Sequence, residues 1–446
     1  MRTLPAGLMV VAVASGASAP SRSVHTLVQQ DPWLDPLDAP TSSVSADGRY
    51  VAFTSYARLA AADTNTRRDI YVLDRDDGRV TLESVTPLGT VAEADSEHPR
   101  LSGDGRFLVY RTRLSEAAGT APVDILLRDR AEGTARVLST GAGGERANGA
   151  SSAPAISQDG RHVVFASHAT NLVSGTDQNG PAADIYAFDT VTGTLARVSV
   201  DHAGLQPRVG GSIAPSVSAD GRYVAFASVA SLDGREVSMT VINGARRPVS
   251  SVYVRDRQRG TTTRVPALPA GKRAPAGASW MPAISADGRF VAFVSNASLT
   301  ADDGNRSSDV FLADLRSGLL TLVSRAAGGG SANGSSGNPA ISADGSVVVF
   351  QSHASDILCP RRCDRETEDI NLLWDVFLFE VRAGTVTRIS GAPAGGWMEP
   401  SIGPAIDASG LFVVFSSRHP TEPSDRKNDF DLFLCGSAAE VPVPRP

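Results

Sequence analysis

The chain is poor in the features that mark catalysis, membranes or nucleic acids. Cysteine is scarce, at three in 446 residues, so a disulfide framework cannot be what holds the fold. Cys359 and Cys363 enclose Pro-Arg-Arg in one loop, a spacing that suits a small disulfide staple in an oxidising compartment. A zinc centre there lacks its remaining ligands. Cys435 closes the last strand-like segment and reads as a buried thiol. Basic residues are not in excess: 42 Lys and Arg stand against 48 Asp and Glu, so no nucleic-acid partner is expected. No Gly-x-Ser-x-Gly elbow and no phosphate-binding Gly-rich loop occurs, which removes the sequence basis for a serine hydrolase or a P-loop NTPase. No catalytic residue is assigned. No later segment has the apolar run of a membrane helix, and no helical apolar period recurs.

The chain is instead full of one motif. Ser-x-Asp-Gly begins at Ser45, Ser102, Ser157, Ser218, Ser285 and Ser342, and a worn copy, Asp-Ala-Ser-Gly, begins at Asp407. Each is followed by a β-rich stretch ending in an aromatic: Phe53, Tyr110, Phe165, Phe226, Phe293, Phe350 and Phe415. Asp-Gly is a hairpin turn, with Gly supplying positive φ. Proline often precedes it, as in Pro154-Ala-Ile-Ser and Pro282-Ala-Ile-Ser, and is read as opening a short first strand. After a long loop a third strand begins with Asp and a β-branched or aliphatic residue, as at Asp69, Asp184, Asp309 and Asp375. An acid five residues on and a glycine four residues beyond it mark a second hairpin into a fourth strand. Such units must close on one another to bury a core.

Seven units of four strands predict an all-β fold: a seven-bladed β-propeller of four-stranded antiparallel blades. The last unit lacks its fourth strand, and Thr26 to Gln29 resembles a fourth strand elsewhere. The ring is therefore expected to close with this N-terminal strand in the seventh blade. Residues 1–19 read as a signal peptide: Arg2, an apolar stretch from Leu8 to Ala14, and the small residues Ala17-Ser-Ala. Residues 24–436 are assigned to the propeller and 437–446 to a Pro-rich tail. The chain is expected to be exported, periplasmic or extracellular, and monomeric.

Pro-x-Ile-Ser-Ala-Asp-Gly-Arg-Tyr-Val-Ala-Phe followed by Asp-Ile-Tyr-Val-x-Asp resembles the TolB-like, or WD40-like, PD40 β-propeller repeat. The resemblance spans nearly the whole chain after the leader. The units here are longer than the family's, and TolB's small preceding α/β domain has no counterpart.

Up-and-down strands put the two short turns on one face and the long connections on the other, where binding is expected. All four tryptophans, Trp33, Trp280, Trp374 and Trp397, fall there, in neighbouring blades. They make either a stacking platform for sugar or peptide or local cores beneath their own loops. His168 and His353 occupy equivalent positions in blades 3 and 6. Asp63, Asn65 and Asp69 in blade 1, Asp303, Asn305 and Asp309 in blade 5, and the wider Asp177, Asn179 and Asp184 in blade 3 carry the hard oxygen donors that calcium takes, or order their loops as Asx turns without metal. No other cofactor is indicated. The expected function is a binding scaffold for protein, peptide or cell-envelope glycan. The alternative is a carbohydrate-active enzyme, a polysaccharide lyase or glycoside hydrolase, with acids such as Glu366, Glu368 and Asp369 at the mouth.

Overall fold

The computed structural model describes residues 10–13, 22–28, 42–114, 122–242, 245–267, 276–358, 372–390, 399–418 and 430–437. Each repeat folds into one antiparallel sheet whose strands follow sequence order. Blade 5 is representative, with strands Ser279–Ile284, Phe290–Ser295, Asp309–Asp314 and Leu320–Leu322. The seventh sheet draws on both ends of the sequence. Arg22–Val28 pairs with Asp431–Ser437, placing Thr26 opposite Phe433 and Val28 opposite Leu432. The expected ring closure is found, and the closing strand starts earlier than Thr26. Val10–Val13 pairs in turn with this strand and adds a fifth to the blade's outer edge.

The core lies between blades. Seven buried apolar clusters each join two neighbours around the ring. The aromatic that ends each second strand stacks on an aromatic of the third in six blades, as Phe293 does on Phe311 at 5.9 Å. Burying one such side chain contributes about 1.5–3 kcal/mol, so the ring is held by packing no single blade has alone.

The Ser-x-Asp-Gly motif has a structural account at every atom. Ser285 is buried; its hydroxyl donates to Asp287 Oδ1 at 2.7 Å and accepts the Phe290 N–H at 2.9 Å. The same pair of bonds occurs in all six intact copies. In the seventh copy the two residues trade places: the Ser409 hydroxyl donates to Asp407, and Asp407 Oδ1 accepts the Phe412 N–H at 2.9 Å. The worn copy therefore keeps the network with its roles reversed. In blades 1 to 5 the following arginine grips the acid at the end of the third strand, as Arg222 does Asp256 at 3.0 and 2.7 Å.

The second residue of the motif stands at the axis. Its backbone N–H donates to the carbonyl of the same position in the next blade: Ala46 to Gly103, Gly103 to Gln158, Ala219 to Ala286, Ala286 to Ala343, Ala343 to Ala408, and Ala408 back to Ala46, at 2.8–3.3 Å. Between blades 3 and 4 the donor moves one residue, to Asp159, at 3.4 Å from the Ala219 oxygen. A closed belt of backbone hydrogen bonds thus rings the short-turn end of the channel. It encloses a cavity of about 110 Å³ lined by all seven blades.

One expectation is corrected here. The prolines do not open the first strands. In blades 3, 4, 5, 6 and 7 the strand begins three residues before the proline and runs through it, with a bulge across it. Blade 2 carries the same bulge at Pro99. The residue before proline sits in the left-handed region: His98, Ala153, Ala214, Met281 and Asn338 at φ 47–55°, and Gly403 at 65°. A bulge tolerates proline because it leaves a residue out of the ladder.

Candidate functional site: the long-loop face

The first strands run from the long-loop face to the axial belt, so their opening residues rim the channel mouth. Trp280, half-buried, and Met281, 43 % exposed, lie there in blade 5, and Ile213, 51 % exposed, in blade 4. Leu372, 66 % exposed and strained at φ 55°, and Leu373 lead into the third strand of blade 6 beside Trp374. Among the described residues eleven large apolar side chains are exposed, and eight of them lie on long-loop connections or strand ends of this face. The short-turn face has only Val191, Leu315 and Leu319. Sequence reasoning followed the tryptophans and passed over these aliphatics. The signal was present in the triplets Trp280-Met-Pro and Leu372-Leu-Trp, where apolar residues stand outside the alternation of a strand.

Trp374 is tied to its surroundings. Its ring meets His353 edge-on at 4.9 Å and packs on buried Ile402 and Phe430 of blade 7, and its carbonyl accepts the Ser401 N–H at 2.6 Å. It therefore joins blade 6 to blade 7 while leaving one side half-open. His353 Nε2 accepts the Ser335 N–H at 3.3 Å, and His168 Nδ1 lies 2.8 Å from the Pro181 carbonyl. The two occupy equivalent positions but different blades, with different partners. His98 is pushed down to about 3 by burial and by the guanidinium groups of Arg111, Arg100 and Arg68. Trp33, Trp397, Cys359, Cys363, Glu366, Glu368 and Asp369 lie outside the described residues. Cys435 is buried.

The Asp-x-Asn groups differ by blade. In blade 3 the Gln206 Nε2 donates to Asp177 Oδ1 at 2.8 Å, to Asp184 Oδ2 at 2.7 Å and to Asn179 Oδ1. Arg197 joins them, 3.0 Å from Asp177 Oδ2 and 3.2 Å from Asp184 Oδ2. In blade 1 Asp63 accepts the Tyr71 hydroxyl at 2.5 Å, and Asp69 Oδ1 accepts the Ser84 hydroxyl. In blade 5 Asp309 Oδ1 accepts the Ser324 hydroxyl at 2.7 Å. Burial raises Asp69 to about 6, with Asp63 and Asp95 adding to it and the Ser84 hydroxyl and Asn65 amide offsetting part. Burial likewise raises Asp309 to about 7, with Asp303 and Asp356 adding. Among the described residues no three His, Cys, Asp or Glu side chains gather at metal-binding distance; each Asp-x-Asn group has two carboxylates and an amide.

The architecture is that of a seven-bladed β-propeller. No family model matches the sequence, and no curated protein matches it. Solved structures do. An oligogalacturonate lyase in complex with manganese is 14% identical, with 98% of each chain covered and a TM-score of 0.55. The oligogalacturonate lyase of Vibrio parahaemolyticus is 13% identical, with 97% of each covered and a TM-score of 0.54. The β-propeller domain of the trilobed protease of Pyrococcus furiosus is 11% identical over 92% of this chain and 99% of that one, with a TM-score of 0.53. At these identities the likeness is one of fold. The repeat motif itself resembles the TolB type, as read above. No helix among the described residues is long and apolar enough to cross a membrane.

Proposed function

We propose that the protein is an exported binding scaffold. Its long-loop face holds a protein, peptide or cell-envelope glycan at the rim formed by blades 4 to 6. The observation that carries this reading is the bias of exposed apolar side chains to that face, with the half-buried Trp280 and Trp374 beside Met281, Leu372 and Leu373. Apolar groups left in water beside aromatics are the usual substrate of recognition. Export rests on Arg2, the apolar stretch from Leu8 and the Ala17-Ser-Ala site. Cleavage there would remove Val10–Val13 and leave the seventh blade with four strands. The test is a screen of immobilised glycans and peptides, followed by Met281→Asp and Leu372→Asp. Both side chains are exposed, so the fold survives, and a ligand held at this rim should bind at least ~10-fold more weakly. Arg106→Ala, on the short-turn face, should leave it unchanged. A ligand lost through Arg106→Ala and indifferent to the rim variants would refute the proposal.

A further inference from the structure

The repeats compare one buried carboxylate in different electrical surroundings. The aspartate that opens the third strand is at most 1 % exposed in blades 1, 2, 3, 5 and 6. Its Oδ1 takes a hydroxyl from the serine after the fourth strand in each. The other oxygen meets a guanidinium in three of them: Arg146 in blade 2 at 2.7 Å, Arg197 in blade 3 at 3.2 Å and Arg388 in blade 6 at 3.6 Å.

Two sequence positions supply these groups. One is the fourth-strand residue opposite the third-strand aromatic, Arg197 in blade 3 and Arg388 in blade 6. The other lies seven residues past the serine, Arg146 in blade 2 and Gln206 in blade 3. Blades 1 and 5 have neither. The first position is Leu82 and Leu322, and the second is Val91 and Ser331. Asp69 Oδ2 and Asp309 Oδ2 are fully buried and meet neither a hydrogen-bond donor nor a guanidinium among the described residues, whereas the equally buried Asp375 Oδ2 of blade 6 has Arg388 3.6 Å away. A buried carboxylate left this way is strongly disfavoured in its ionised form.

Blade 3 shows where these oxygens point. Gln206 Nε2 sits within hydrogen-bond reach of all three groups at once, Asp177, Asn179 and Asp184. The amide of Asn179 is held for this by its Nδ2 donating to the Gly210 carbonyl at 2.9 Å. Asn65 and Asn305 are anchored by the same kind of bond, on the Ala92 and Ala332 carbonyls at 3.0 and 2.7 Å. Each amide also hydrogen-bonds its own aspartate, so it lies beside that carboxylate, while its Oδ1 accepts the N–H of Arg67 or Ser307 at 2.6 and 2.7 Å.

We infer that blades 1 and 5 each bind one calcium-like divalent cation, held by Asp63, Asn65 and Asp69 and by Asp303, Asn305 and Asp309. There it takes the place that arginine and glutamine side chains fill in blade 3. All three donors are hard oxygens, two of them anionic, and water completes the six to eight ligands such an ion takes. The carboxylate and amide oxygens already accepting backbone N–H groups keep a second lone pair for it. Of the three groups expected from sequence, the one in blade 3 is withdrawn, because Arg197 and Gln206 satisfy its oxygens.

The test is calcium binding to the chelator-treated full chain by calorimetry and equilibrium dialysis, with calcium chloride as the probe. Two ions per chain are expected, and Asp69→Asn and Asp309→Asn should each remove one. Leu82→Arg and Leu322→Arg install the guanidinium of blade 3 and should also each remove one ion. Asp184→Asn should remove none. Calcium should raise the melting temperature of the wild-type chain by a few degrees and that of Leu82→Arg/Leu322→Arg not at all. No binding at millimolar calcium overturns the inference. So does binding that survives both the Asn pair and the Arg pair, provided circular dichroism shows those variants folded.

Discussion

Replacing Ser285 with alanine deletes one oxygen atom, removes the acceptor of the Phe290 N–H and takes one donor from Asp287, which is exposed and keeps the Arg289 N–H at 2.9 Å. Ser285 is 1 % exposed; its hydroxyl donates to Asp287 Oδ1 at 2.7 Å and accepts the Phe290 N–H at 2.9 Å. A hydrogen bond to a charged group contributes about 1.5–3 kcal/mol, and a buried amide without a partner costs about 1–3 kcal/mol. Allowing for partial relaxation, Ser285→Ala should destabilise by ~2–4 kcal/mol. Ser285→Asp alone should be at least as damaging, since two carboxylates would share one turn. The double exchange Ser285→Asp with Asp287→Ser copies the arrangement of Asp407 and Ser409, where the donor and acceptor are reversed and the Phe412 N–H is still met. It should return to within ~1 kcal/mol of the wild type, giving a coupling of ~2 kcal/mol or more in a double-mutant cycle. Guanidinium unfolding followed by fluorescence and circular dichroism measures each midpoint. If the double exchange loses as much as the two single changes summed, the motif is not the reciprocal hydrogen-bond unit described here.

Two further outcomes follow from the same hairpins. Gly288 has φ 72° and a Cβ there would come within 2.2 Å of the Tyr223 ring, whereas Gly318 has φ 75° with open space around it. Gly318→Ala should cost only the backbone penalty, about 1 kcal/mol, and Gly288→Ala clearly more, as read from unfolding midpoints; equal losses would deny that the neighbouring blade's ring packs on the turn. The Arg289 guanidinium holds Asp314 well below the usual carboxylate range, with N–H groups of residues 316 and 317 assisting and Asp287 the other charge on Arg289. A depressed folded value gives stability that is present above ~4 and lost as pH falls further. Arg289→Met should therefore lose less than the wild type between pH 6 and pH 3, and an unchanged loss would show that this pair does not carry acid sensitivity.

The blades were legible because strand alternation and Asp-Gly turns are local and were repeated seven times. Ring closure was legible for the same reason: Thr26 and its neighbours match a strand the last unit lacks. The bulge at Pro282 was not. Proline in a strand ordinarily marks an end, and the left-handed residue before it is Met, His, Ala or Asn in different blades, so no residue type announces it. The axial belt was invisible because backbone atoms make it, and its side chains, Ala or Gly in six blades and Gln158 in blade 3, take no part in the bonds. The Asp-x-Asn groups were found as residues but not told apart. Arg197 and Gln206 lie 13 and 22 positions past Asp184, and only the fold reveals that they reach the same oxygens.

The axial belt also has an electrical character. In an α-helix the peptide dipoles add along one line and leave partial charge at each end. Around the channel they run head to tail in a circle, each N–H facing the next blade in the same rotational sense. Dipoles arranged in a circle cancel, so the short-turn end of the axis projects little net field despite its ring of ordered amides. A charged ligand entering from the long-loop mouth would feel no pull toward that end from the backbone. Whatever preference the channel has for charge is left to the side chains that rim the mouth.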